Sequence, residues 1–298
     1  MRKLASYILS GRLQAIIVVA GFGVLGLIFP PLVLLSGAAL GLVALRLGPA
    51  HGGIILALSG ITLAVITWPI VGGPMVGIVC ALFLWLPIFT LSLVLRQTVS
   101  LGFCLQVCAA AGLMTVLGVH LFVPDASGKW RAMLEAVVLP AMERAQMAPE
   151  VTERMVAALT IGHFMGSMVL TLIFMLFIAR WWQAMLFHPG GFREEFTQLR
   201  LGQMAALLVL VVMAAAMLTR SSVAMELVIV ALSAFFLQGL AVAHHLSGKA
   251  RNPKMWLIGL YGLLFVVLPS WVLVGVAGIV DSFADFRARF DKPQQNNG

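Results

Sequence analysis

The chain has 298 residues, of which 61% are hydrophobic and only 10% charged, and its mean hydropathy is +1.06. A soluble domain carries about 25% charged residues, so the composition excludes a soluble enzyme and fits one polytopic all-α bundle, residues 1–298, embedded in a lipid bilayer. Most of the basic residues behind the formal charge of +8 stand singly or in pairs at the ends of apolar stretches, where they set orientation and do not point to nucleic acid.

The apolar segments fall, in chain order, at about 13–29, 31–46, 52–69, 74–95, 99–123, 155–179, 201–218, 223–243 and 255–280. A helix needs roughly 20 residues to cross about 30 Å of hydrocarbon, and it satisfies its backbone polar groups within the segment. The first segment follows Arg2, Lys3 and Arg12, outruns the ~7–15-residue core of a cleaved signal and reads as an uncleaved helix. Pro30-Pro31 leaves almost no loop before the second, and Trp68-Pro69-Ile70-Val71-Gly72-Gly73-Pro74 turns the third into the fourth. Cys80, Cys104 and Cys108 lie within segments, lack further ligands nearby and read as small hydrophobes, so no metal or cofactor is expected. Pro269-Ser270 interrupts the last segment, which gives eight or nine membrane segments according to whether it crosses once or forms a broken or re-entrant pair.

The basic residues set an orientation in the membrane. Arg2, Lys3 and Arg12 place the N-terminus in the cytoplasm, and alternation puts Arg46, Arg96, a loop at about 180–200 and Lys249–Lys254 on the same side. The loop of about 124–154 then lies outside. There Trp130, Met133, Leu134, Val137 and Val138 recur at helical spacing behind Ser127, as an amphipathic helix on the outer interface or as a lid. A broken pair at Pro269 keeps the tail inside, and 291–298 reads as disordered. In the 180–200 loop, Trp181 and Trp182 suit the headgroup level. Pro189-Gly190-Gly191 then turns into a short helix whose Phe192, Phe196 and Leu199 face the bilayer, with Arg193 beside them. That loop is an anchor or a coupling surface for a partner.

Few residues could carry chemistry. Glu226 is the most conspicuous embedded charge, either paired with Arg220 at the outer interface or a proton or substrate site. His163, Gln106 and Gln238 are the other polar groups at membrane depth, as packing residues or as ligands. His244-His245 point about 100° apart on a helix and make a poor metal pair. Gly37 with Gly41, and Gly162 with Gly166, form small-xxx-small pairs for packing within the protein or for docking a partner's helix. The chain has no HExxH, GxSxG or Walker A pattern, so no enzyme is expected; an enzyme would need at least two of Glu226, His163 and His120 in one polar cleft.

Leu45-Arg46-Leu47-Gly48-Pro49-Ala50-His51-Gly52-Gly53 forms a Gly-Pro-x-x-Gly turn that resembles one in the substrate-binding S components of energy-coupling-factor vitamin transporters. Over most of its length the chain is more closely similar to the YybS-like family of bacterial membrane proteins, which lacks an assigned function. That similarity rests on the outer amphipathic helix, the Arg180-Trp181-Trp182…Pro189-Gly190-Gly191-Phe192 loop and the terminal Gly278–Arg287 stretch. The resemblance implies an S-component-like protein that binds a small solute or lipid within its helices and works with an ATP-hydrolysing partner subunit. The Ala-xxx-Ala docking pattern of S components is absent from the first segment, and Gly37–Gly41 is the nearest substitute. The other expectation is a scaffold that docks partners through its glycine faces and the Pro189–Arg200 loop.

Overall fold

Each apolar segment becomes helical in the computed structural model, which describes residues 1–267 and 269–291; the tail expected to be disordered lies outside them from residue 292 on. Among the described residues there is no strand. The helices are α1 (Arg2–Leu9), α2 (Arg12–Ile28), α3 (Val33–Leu47, after a 3-10 turn at Pro30–Leu32), α4 (Pro49–Val71), α5 (Met75–Cys80) and α6 (Leu86–Thr98). They continue with α7 (Leu101–Phe122), α8 (Ala126–Arg144), α9 (Pro149–Ala158), α10 (Ile161–Phe187) and α11 (Gly191–Thr197). The last five are α12 (Gln203–Thr219), α13 (Ser222–Ser247), α14 (Pro253–Val266), α15 (Ser270–Ala284) and α16 (Phe286–Asp291). Among the described residues, six helical stretches are long and apolar enough to cross a membrane: Pro30–Leu47, Pro49–Pro69, Met75–Thr98, α7, α10 and α13. Four more, α2, α12, α14 and α15, are apolar but shorter.

Several boundaries differ from the sequence expectation for local reasons. The Gly48–Gly53 turn contracts to Gly48 alone, whose φ of 88° suits only glycine. Pro49 lacks an N–H and serves as the first residue of α4, so Ala50 to Gly53 are already helical. Pro87 would crowd the carbonyl of Phe83 in a regular helix, and a single wide π turn at Ala81–Trp85 joins α5 to α6 there. The segment expected at 155–179 is two helices, α9 and α10, broken at Leu159-Thr160. Asp125, not Ser127, caps α8, its Oδ1 accepting from the Gly128 N–H at 3.2 Å.

The chain divides into two compact units, Met1–Cys108 with Thr171–Leu199, and Ala109–Leu170 with the chain from Arg200 onward. In the first, α2 and α3 are antiparallel: Ser36 Oγ donates to the Val19 carbonyl at 2.6 Å, and Trp85 Nε1 donates to Ser36 Oγ at 3.1 Å. Gly41 lies beside Ser92 and Ala179, Gly37 against Met175, and Arg96 reaches the carbonyls of Ala44 and Leu45. These contacts rise together along α3, α6 and the last turns of α10, so the three run parallel, with Arg46 and Arg96 in the last turns of α3 and α6 and Arg180 two turns before the end of α10.

In the second unit α13 is the axis. Gly275 packs on Leu232, Gly278 on Phe235, and Gln238 reaches Ser282, so α15 runs parallel to α13 with backbones in close approach. The break at Pro269, expected from sequence, makes this possible, because α14 turns back before α15 resumes the direction of α13. The C-terminal helix α16 therefore stands at the His244 end of α13. Gly162 on α10 packs on Glu226 and Gly166 on Ser233, a second parallel contact, whereas α7 is antiparallel, with Gly112 near Val230 and His120 near Glu226.

Candidate functional site

The embedded acid that stands out in the sequence has a partner that was not the expected one. Glu226 is 4% exposed and its Oε2 lies 3.0 Å from Nε2 of His120, near the end of α7, not beside Arg220. Arg220 caps α12 in a left-handed conformation and is exposed. A side chain at Gly162 would stand 2.6 Å from the Glu226 Cα, so the bare glycine is what lets α10 close over this part of α13. A carboxylate and an imidazole at this distance can share, hold or pass a proton, and a buried charge of this kind is stable only while paired.

The remaining sequence candidates fall elsewhere. His163 bonds Thr160, whose Oγ1 is 3.1 Å from Nδ1 and accepts from the His163 N–H at the start of α10. Of Glu226, His163 and His120, of which an enzyme would need at least two in one cleft, Glu226 and His120 therefore meet and His163 serves a helix start. Gln106 is exposed on α7. Gln238 is fully buried and engaged at both ends, Oε1 accepting from the Leu201 N–H (2.7 Å) and Nε2 donating to the Gly278 carbonyl (2.9 Å), Ser282 (3.0 Å) and Asp281 (3.2 Å). Gly37, Gly41, Gly162 and Gly166 each face the chain's own helices. Cys104 and Cys108 are buried free thiols. His244 bonds the Leu240 carbonyl and the Tyr261 hydroxyl, and among the described residues no group of three His, Cys, Asp or Glu could hold a metal.

One buried cluster was not singled out from sequence. Asp281 accepts from Arg287 Nη2 at 2.7 Å and from the Phe286 N–H at 3.2 Å, and both side chains are almost completely buried. With Gln238 on the same carboxylate, this clasp ties α13, α15 and α16 together. The signal was present: an acid closing a long apolar segment, with an arginine six residues on.

The expected loop of 180–200 is largely helical. α10 continues to Phe187, and Trp182 is fully buried instead of standing at a headgroup. Phe192 and Phe196 turn inward onto Phe177, at 5.7 and 5.3 Å between ring centroids, and Leu199 is buried. Arg180 holds this arrangement through a two-pronged pair with Glu195, its Nε donating at 2.9 Å. Beside it, Arg2, Trp181, Met185, Gly190, Phe192 and Arg193 line a cavity of about 570 Å³. A smaller one, about 200 Å³, holds Arg12 and His51, and a third, about 400 Å³, lies between α8 and α9 with Arg131 and Glu135. In α8, Trp130 donates to the Leu159 carbonyl at 2.7 Å and packs on Phe164, whereas Met133 and Val137 are exposed.

Comparison with family models, with curated proteins and with solved structures gives no match for the chain.

Proposed function

We propose that the chain is a non-enzymatic multi-pass protein of a bacterial inner membrane, YybS-like and S-component-like, that binds a small solute or lipid within its helices at the Glu226–His120 pair. The observation that carries this reading is a buried carboxylate on the central helix of its unit, held by a histidine from an antiparallel neighbour. Ionisable groups at membrane depth are costly and concentrate at solute and proton paths. The chain shows no nucleotide motif, so transport would draw on an ATP-hydrolysing partner. The scaffold reading has less support, because the glycine faces it needs are filled by the chain itself.

The positive-inside rule gives each unit a sidedness. Arg46, Arg96 and Arg180 share an end in the first, and Lys249, Arg251 and Arg287 share one in the second; both ends then face the cytoplasm. The pair α14–α15 returns the C-terminus to that side after eight crossings, with α8 on the outer interface and Glu226 in the outer half. The test is stabilisation of the purified protein in nanodiscs by a panel of solutes and lipids, wild type against Glu226→Gln. A compound that raises the wild-type Tm and leaves the variant unmoved supports the reading. A panel that moves neither, or both equally, overturns it.

A further inference from the structure

The cationic cavity of the first unit is independent of Glu226 and has its own chemistry. It forms where the start of α1 meets the last turns of α10 and the turn into α11, which Gly190 makes with a φ of 94°. Among the described residues, its charged lining residues are Arg2 and Arg193, and none that lines it is acidic. Neighbouring cations are already engaged: Arg180 by Glu195, and Arg46 over the Phe187 ring at 4.0 Å. The guanidinium groups of Arg2 and Arg193 have no hydrogen-bond or ion-pair partner among the described residues, and both side chains are exposed. Between them the wall is apolar, with Met185 and Phe192, and Trp181 is 40% exposed at its edge.

Each of these features answers one part of a phospholipid. Two guanidinium forks match the oxygens of a phosphate, an exposed indole in the last two turns of α10 suits the headgroup level, and the apolar wall suits the first carbons of an acyl chain. Basic pockets between membrane helices bind anionic headgroups for these reasons. We propose that this cavity binds the phosphate group of an anionic phospholipid, held between Arg2 and Arg193 with its acyl chains along Phe192 and Met185. A volume of about 570 Å³ accommodates a headgroup and the chain roots but not a whole lipid, so the tails extend into the bilayer.

Native mass spectrometry of the full-length protein, offered equal amounts of phosphatidylglycerol and phosphatidylcholine, tests this. Wild type is expected to retain the anionic lipid about tenfold or more over the zwitterionic one, as two arginines at a membrane surface imply. Arg2→Gln with Arg193→Gln brings the ratio near one. Arg251→Gln with Lys254→Gln removes the same charge outside the cavity and keeps the wild-type ratio. If the first double variant yields no folded protein, Arg193→Gln alone, at an exposed position, reads the same ratio with a smaller loss. A wild-type ratio near one, equal losses in the two double variants, or displacement of the lipid by inorganic phosphate overturns the proposal.

Discussion

In the unit of Met1–Cys108 with Thr171–Leu199, the buried polar side chains among the described residues are hydroxyls: Ser36, Ser59, Thr67 and Ser92. In the other unit they include Glu226, Asp281 and Arg287. Thr67 and Ser92 bond carbonyls one turn back on their own helices, a local arrangement that asks nothing of the rest of the fold. A buried charge asks for a specific partner from elsewhere, which His120 supplies to Glu226 and Arg287 to Asp281. In the first unit the fully buried polar groups are neutral, and its Arg180–Glu195 ion pair is only part-buried. The second places charge inside, where it fixes register.

The comparison breaks most easily at Asp281. Asp281→Ala leaves Arg287 buried without its carboxylate and takes one acceptor from Gln238, and loss of one partner of such a pair costs about 3–5 kcal/mol. Denaturant unfolding of the purified protein measures it, and replacing both residues with Leu and Met is expected to recover most of the loss. Ser36→Ala in the first unit strips a partner from both Val19 and Trp85, at about 1–3 kcal/mol. If the serine costs as much as the aspartate, the distinction between the units fails. Ser59→Ala reverses the sign, because its buried hydroxyl has no partner among the described residues, so the variant is expected to be at least as stable as wild type.

The sequence carried the segments because hydropathy is local, and it carried the break at Pro269 because proline is. It did not carry the pairings. Glu226 and His120 are 106 residues apart, and proximity in sequence pointed to Arg220 instead. Arg180 looked like the end of a span. It is neutralised by Glu195, fifteen residues later, and that pair lets α10 run on to Phe187 and bury Trp182. The spacing of Gly162 and Gly166 was legible as close packing, but spacing alone cannot say that the surface they meet is Glu226 and Ser233. Ser127 was a sound cap candidate that lost to Asp125, whose φ of 51° turns the chain into α8.

The smallest effect belongs to an exposed pair one turn from the buried clasp. Asp285 ends α15 in a left-handed conformation and accepts from Arg200 at 2.6 Å and from the Ala288 N–H at 3.3 Å. The hydrogen bond from Arg200, and after it that from Ala288, holds the carboxyl below its ordinary value of 3.8. A lowered folded value means that the pair stabilises the fold above that ordinary value and that the contribution is lost as pH falls through the lower one. Both side chains are nearly half exposed, so water and salt screen the interaction. The expected result is a Tm difference between wild type and Asp285→Asn that is small at neutral pH, shrinks on acidification and shrinks with added salt. Because every other group is common to both proteins, the difference isolates Asp285. A difference that grows as pH falls would mean that the protonated carboxyl stabilises the fold more than the ionised one, and would overturn the stabilising role of the Arg200 pair.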